Sequence, residues 1–216
     1  MNAIELLLDR HNFLHTRGIS FVWDRVSGDQ MRERPTPATN SIAWCIWHMA
    51  RCEDVGLNRL VTDRPQVLET GEWQKKLNVP VRVYGTGMSD DEVAEFSAVV
   101  DLKALRAYYD AVGRQSVGVI SSVRLDDLDT VVGDDRLRKV LREEGVIGAN
   151  AEWVPSGYAG HNIGWFLAHL GVTHNFSHMG EANAIAGFLG ARGRTTEGQV
   201  RAAPDWKLTH APAKGR

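Results

Sequence analysis

The chain has 216 residues, 43% of them hydrophobic, which is enough for one substantial core and within the range of a single domain. Its 25 Lys and Arg nearly cancel its 27 Asp and Glu, leaving a formal net charge of -2 and none of the broad positive field expected of a nucleic-acid partner. The N-terminal MNAIELLLDRHNF places an acid inside its only apolar run and lacks a small-residue cleavage pattern, so it does not resemble a secretory signal.

No stretch approaches the roughly 18 uninterrupted apolar residues a spanning helix needs, so the expectation is a cytoplasmic protein with no membrane partner. Cys45 and Cys52 are too few for a disulfide framework. On one helix they would lie about 10 Å apart, too far to bridge, and both are read as reduced thiols.

Taken in order, Ile4, Leu7, Leu8, Leu14, Gly18, Phe21 and Val22 recur at helical spacing and predict a first long helix over residues 2–26. The prolines of RERPTPATN break it. Thr39 or Asn40 is then expected to cap a second helix that runs to about Val61. Residues 63–88, with their prolines, glycines and Trp73, read as a long connection, and Ser89 opens an S-D-D-E capping box for a short helix.

A third long helix is predicted from Asp101 to about Val123 on the stripe Leu102, Leu105, Tyr108, Tyr109, Val112, Val117 and Ile120. A short helix at 134–144 and a loop, GANAEWVPSGYAG, follow. The fourth long helix should begin near Asn162 and stop near Gly190, where glycine can take the left-handed cap. Residues 191–216 show no period and read as a loosely held tail that Trp206 would dock, which leaves 1–190 as the folded domain. The resulting fold class is all-α, a bundle of four long helices with extended connections and short extra helices.

The stripe Ile163, Leu167, Leu170, His174, His178, Glu181 and Ile185 keeps to one helix face, so two histidines and an acid stand in a row that otherwise points inward. Histidines at i and i+4 set two imidazoles one turn apart, close enough to bind one ion. His48, in SIAWCIWHMARCED, shares the apolar stripe of Ile42, Cys45, Cys52 and Val55 and is directed at the same interior. Three converging imidazoles make an open metal site of the catalytic type. Spacing alone leaves a rival, because His11 and His15 in HNFLH form the same i, i+4 pair on the first helix. Neither pair is the HExxH of metalloproteases, since Asn175 follows His174 and Asn12 follows His11.

Ser41, Ile42, Trp44, His48 and Glu53, followed by His169, Leu170, His174, His178 and Gly180, resemble in type, order and separation the two histidine phrases of the DinB-like metalloprotein superfamily. The resemblance covers about residues 2–190 and departs from the family pattern at Asn175 and Glu181. It implies an up-down-down-up four-helix bundle, often a homodimer, that binds nickel or zinc through His48, His174 and His178, with His11 and His15 left as structural or surface residues. It also implies small-molecule chemistry of the mycothiol- or bacillithiol-dependent transferase and isomerase type, or metal-dependent hydrolysis, with a low-molecular-weight thiol as a possible cofactor. The alternative is a non-catalytic metal-binding stress-response protein whose ion is structural.

Glu181, one turn beyond His178, is read either as a residue that orients an imidazole or relays a proton, or as a partly solvated helix acid. Cys45 and Cys52 flank His48 and are read as small buried hydrophobes, with ligation to the ion as the alternative. Trp44, Trp47 and Trp165 are candidates to wall the pocket.

Overall fold

A computed structural model describes residues 1–79 and 83–191. Among these residues the chain is helical, with a single isolated β-bridge between Val131 and Asn162. Four long helices carry the architecture: α1 (3–23), α2 (42–61), α3 (Leu102–Ser122) and α4 (163–188). The expected tail, with Trp206, falls almost wholly outside the described residues.

Each long helix starts where a short polar side chain can accept from an otherwise unpaired backbone N–H. Asn2 accepts from Glu5 N on α1, and Ser41 from Trp44 N on α2. Asp101 does the same for Ala104 N on α3, as does Asn162 for Trp165 N on α4. The α2 cap is therefore Ser41, where Thr39 or Asn40 was expected, and Asn40 is free for the use described below. Gly190, with φ +78, lies beyond the end of α4, and Ala191 N closes back onto Ala186 O at 2.9 Å.

Two stretches expected to be irregular contain helix. Val67–Thr70 and Trp73–Leu77 fold within the long connection, and Val154–Tyr158 folds within GANAEWVPSGYAG. The capping box at Ser89 and Glu92 opens Asp90–Val99 as the spacing predicts.

The long helices are not uniform. Leu14–Gly18 in α1, Asp54–Val61 in α2 and His169–Thr173 in α4 are π-helical, each turn taking in one extra residue and rotating the residues beyond it. α2 is the central element, packed on both α3 and α4, and every residue from Ser41 to Asn58 is buried. Arg51, fully buried, donates to Gln66 Oε1 at 2.7 Å and approaches Asp54, whose carboxylate also accepts from the Tyr108 hydroxyl at 2.6 Å.

The apolar interior is divided. One cluster gathers Ile19 and Val22, residues 42–50 around Trp47, Leu105 to Val112, and Met179 to Ala186. The other gathers Cys52 to Val61, Val119 and Ile120, and Phe166 to Leu170, with Ile4, Leu7 and Leu8 packed against it. Between them a polar layer crosses all four helices: His11 and His15, then His48, Arg51, Glu53 and Asp54, then Ser116, then His174, Asn175 and His178.

Candidate metal centre

The polar layer brings His48, His174 and His178 together. The His48 ring lies 4.9 Å from that of His174 and 4.6 Å from that of His178, and the latter two are 4.6 Å apart, centroid to centroid. α2 supplies one imidazole and α4 two. The π-helical turn His169–Thr173 ends immediately before His174, so it sets the rotation of the pair that follows.

Their outer nitrogens are tied in different ways. His48 Nδ1 donates to the carbonyl of Tyr84, in a short segment laid over the ring. His178 Nδ1 donates to Glu181 Oε2 at 2.7 Å, and the other oxygen of Glu181 accepts from Asn40 Nδ2 at 2.7 Å. In both rings the tautomer so fixed leaves Nε2 as a lone-pair donor. His174 Nδ1 is buried without a hydrogen-bond partner.

Burial, followed by the neighbouring imidazoles of His174 and His178, pushes His48 well below the usual imidazole range. Burial, then His178 and His169, lowers His174 to about 3. Both imidazoles are neutral at neutral pH, the protonation state a metal ligand needs. The hydrogen bond from His178 holds the Glu181 carboxyl below its ordinary value, so this acid is ionised and orients the ring.

The thiols sit close by. Cys52 Sγ lies 3.5 Å and 3.8 Å from the two nitrogens of His48. By donor atoms, His48, Cys52 and His174 fall within 4.8 Å of one another, as do Cys45, His178 and Glu181. Both cysteines are free and buried, and burial pushes both thiols well above their usual pKa. Of the expected tryptophan walls, Trp44 stacks on His48 at 4.6 Å and 19°. Trp47 instead packs against Phe96 in the core, and Trp165 stacks on His161.

The segment over His48 was not legible beforehand. Gly85 takes φ +106, and a Cβ there would lie 2.8 Å from His48 Nδ1 and 2.9 Å from Trp44 Cζ2. The segment is held by Tyr84 N to Val146 O at 2.7 Å and Gly148 N to Thr86 O at 2.9 Å.

The rival pair is not on the surface, which corrects one of the two expected alternatives. His11 is fully buried, and His15 nearly so. Their Nε2 atoms reach the two oxygens of buried Glu53 at 2.8 Å and 3.0 Å.

The all-helical fold thus gathers imidazoles from two of its long helices among groups of side chains that could hold a metal ion. The family model of the DinB superfamily matches residues 15–148, more than half of the chain, and the protein belongs to that superfamily. The matched region includes His48 and ends before α4, which carries His174 and His178. The fold is similar to that of a conserved protein from Enterococcus faecalis known from a crystal structure, with a TM-score of 0.68 at 16% identity, covering 89% of this chain and 99% of that one. No curated protein matches the chain. Among the described residues no helix is long and apolar enough to cross a membrane.

Proposed function

We propose that His48, His174 and His178 hold one divalent transition-metal ion, nickel or zinc, and that the protein is a metal-dependent enzyme of thiol-dependent transferase, isomerase or hydrolase type. The convergence of the three imidazole rings carries this reading. The residues fit such an ion: the donors are borderline nitrogens, two are anchored through Nδ1 with Nε2 available, and burial keeps His48 and His174 neutral.

When bound with an open position, such an ion supplies Lewis acidity and lowers the pKa of a coordinated water or thiol. The chain's own groups prepare the site. The Tyr84 carbonyl fixes His48, Glu181 holds a proton at His178 Nδ1 and is itself steadied by Asn40, and Trp44 covers one face of His48 against water. The substrate is a small molecule, with a low-molecular-weight thiol as co-reactant, in a cytoplasmic homodimer. The order in which the helices cross the two apolar clusters, opposite for α1 and α4 to that for α2 and α3, supports the up-down-down-up arrangement.

A second reading has a specific support. The proximity of Cys52 Sγ to His48 and His174 favours a closed, structural ion with the thiolate as fourth ligand and no catalysis.

The test is elemental analysis of untagged protein beside His48→Ala and His174→Ala, with His161→Ala as control. Loss of about one ion per chain in the first two, with none lost in the control, is the expected result. Unchanged metal content in His48→Ala and His174→Ala overturns the ligand assignment. A thiolate-to-metal charge-transfer band in the cobalt-substituted protein, abolished in Cys52→Ser, would favour the structural reading; its absence together with an exchangeable water favours the enzyme.

A further inference from the structure

The second buried cluster, on the α1 side of the polar layer, has a composition that core packing does not require. Glu53 is fully buried, and among the described residues its partners are His11 Nε2 at 2.8 Å, His15 Nε2 at 3.0 Å and Asn175 Nδ2 at 2.6 Å, with no Lys or Arg among them. A buried carboxylate is stable only when its charge is met.

The cluster also leaves polar atoms unmet. His11 Nδ1, His15 Nδ1 and Asn175 Oδ1 are all buried without a hydrogen-bond partner. The Nδ1 edges of both rings therefore find no partner in the core, and the two rings are turned so that their Nε2 atoms face Glu53. The His15 ring packs at Gly113 of α3, where a Cβ would lie 2.3 Å from its Nδ1, so this edge of the ring is closed and Nε2 is the atom it can offer.

We propose that His11, His15 and Glu53 form a second metal site, distinct from the three-histidine centre, for a divalent first-row transition ion. Two imidazoles and one carboxylate are a recurrent facial donor set for such ions, and the remaining positions fall to other oxygens. Two ligand atoms each about 2.1 Å from an ion and at right angles to each other are about 3.0 Å apart, close to the nitrogen-to-oxygen separations found here. The ion takes the place of the two Nε2 hydrogens as positive partner of Glu53, and each neutral imidazole then carries its proton on Nδ1.

The local backbone agrees with a built site. His15 lies in the π-helical stretch Leu14–Gly18 of α1, and Glu53 immediately precedes that of α2, wide turns that recur at functional positions.

The test is a titration of the metal-stripped full chain with Co2+, read by visible absorption and equilibrium dialysis. His11→Gln/His15→Gln keeps amide donors for Glu53, and circular dichroism reports its folding. Wild type is expected to take up about two ions per chain, the double variant about one, and His48→Ala about one with different absorption bands, each site having its own donor set. Uptake of a single ion by wild type that His48→Ala abolishes overturns the proposal, and so does an ion count that the double variant leaves unchanged, which would mark an adventitious surface site. Should the double variant not fold, wild type and His48→Ala decide, since the proposal requires an ion that His48→Ala retains. An ion lost in the double variant but unaffected by His48→Ala would sustain this site while overturning the three-histidine centre, so the two readings fail separately.

Discussion

Asn175 Nδ2 donates to Glu53 Oε2 at 2.6 Å, so the residue after His174 on α4 holds the same carboxylate that His11 and His15 reach from α1. The two histidine clusters are thereby joined through one peptide bond and one side-chain amide. Asn175→Ala removes one of the donors to a fully buried charge and should cost roughly 1–3 kcal/mol of stability. Urea denaturation of metal-free protein measures it, and a change within error would show that Glu53 does not depend on this amide.

Acid should destabilise the metal-free chain before any carboxylate titrates. Burial and neighbouring imidazoles hold His48 and His174 low in the fold, His174 at about 3, whereas in the unfolded chain both titrate near ~6.5. The unfolded state therefore binds more protons as pH falls below about 6.5, and stability present above that value is lost on the way down toward the folded pKa. The slope is up to about 1.4 kcal/mol per pH unit for each histidine. Glu53, also lowered in the fold, adds a further loss in the carboxylate range. Urea midpoints between pH 8 and pH 5 check this; a flat profile contradicts it.

Glu181→Gln leaves the shape of the His178 partner but removes its charge. With the carboxylate that holds the His178 Nδ1 proton lost, metal affinity at the proposed three-histidine centre should fall about 10- to 100-fold, with little change in stability because Glu181 is partly exposed. Chelator competition reads the affinity. An unchanged value would return Glu181 to the role of a solvated helix acid.

Gly85→Ala forces a side chain into a left-handed position and against His48 and Trp44. The expected cost is roughly 1–3 kcal/mol together with weaker metal binding. Gly87→Ala, also at positive φ but abutting Ala151, serves as the control, destabilising the chain while sparing the affinity. Equal loss of affinity in both variants would mean that the segment acts through general stability and not through His48.

Much of this arrangement is legible in the sequence because it follows helical period. The capping residues Asp101 and Asn162, the box at Ser89 and the stop at Gly190 lie where local chemistry puts them. His48, His174 and His178 face inward because their apolar neighbours do. What escapes is set by tertiary contact. Arg51, Glu53, Asp54 and Asn58 disguise α2 as a surface-facing helix, yet all are buried, since each finds its partner on another turn or element. Val117, placed on the buried stripe of α3 by its spacing, is 41% exposed. No period reveals the π-helical turns, and no spacing reveals that Tyr84 and Gly85 lie over His48.

The polar layer draws its members from both ends of the chain, which orders events during synthesis. His11, His15 and Glu53 have all been made once α2 is complete, whereas His48 must wait for His174 and His178 on the last long helix. A ribosome-bound chain lacking α4 thus holds every donor of one cluster and a single histidine of the other. On the proposed ligand assignment, the three-histidine centre can therefore take up an ion only after α4 has been made, whereas the other cluster has its donors earlier.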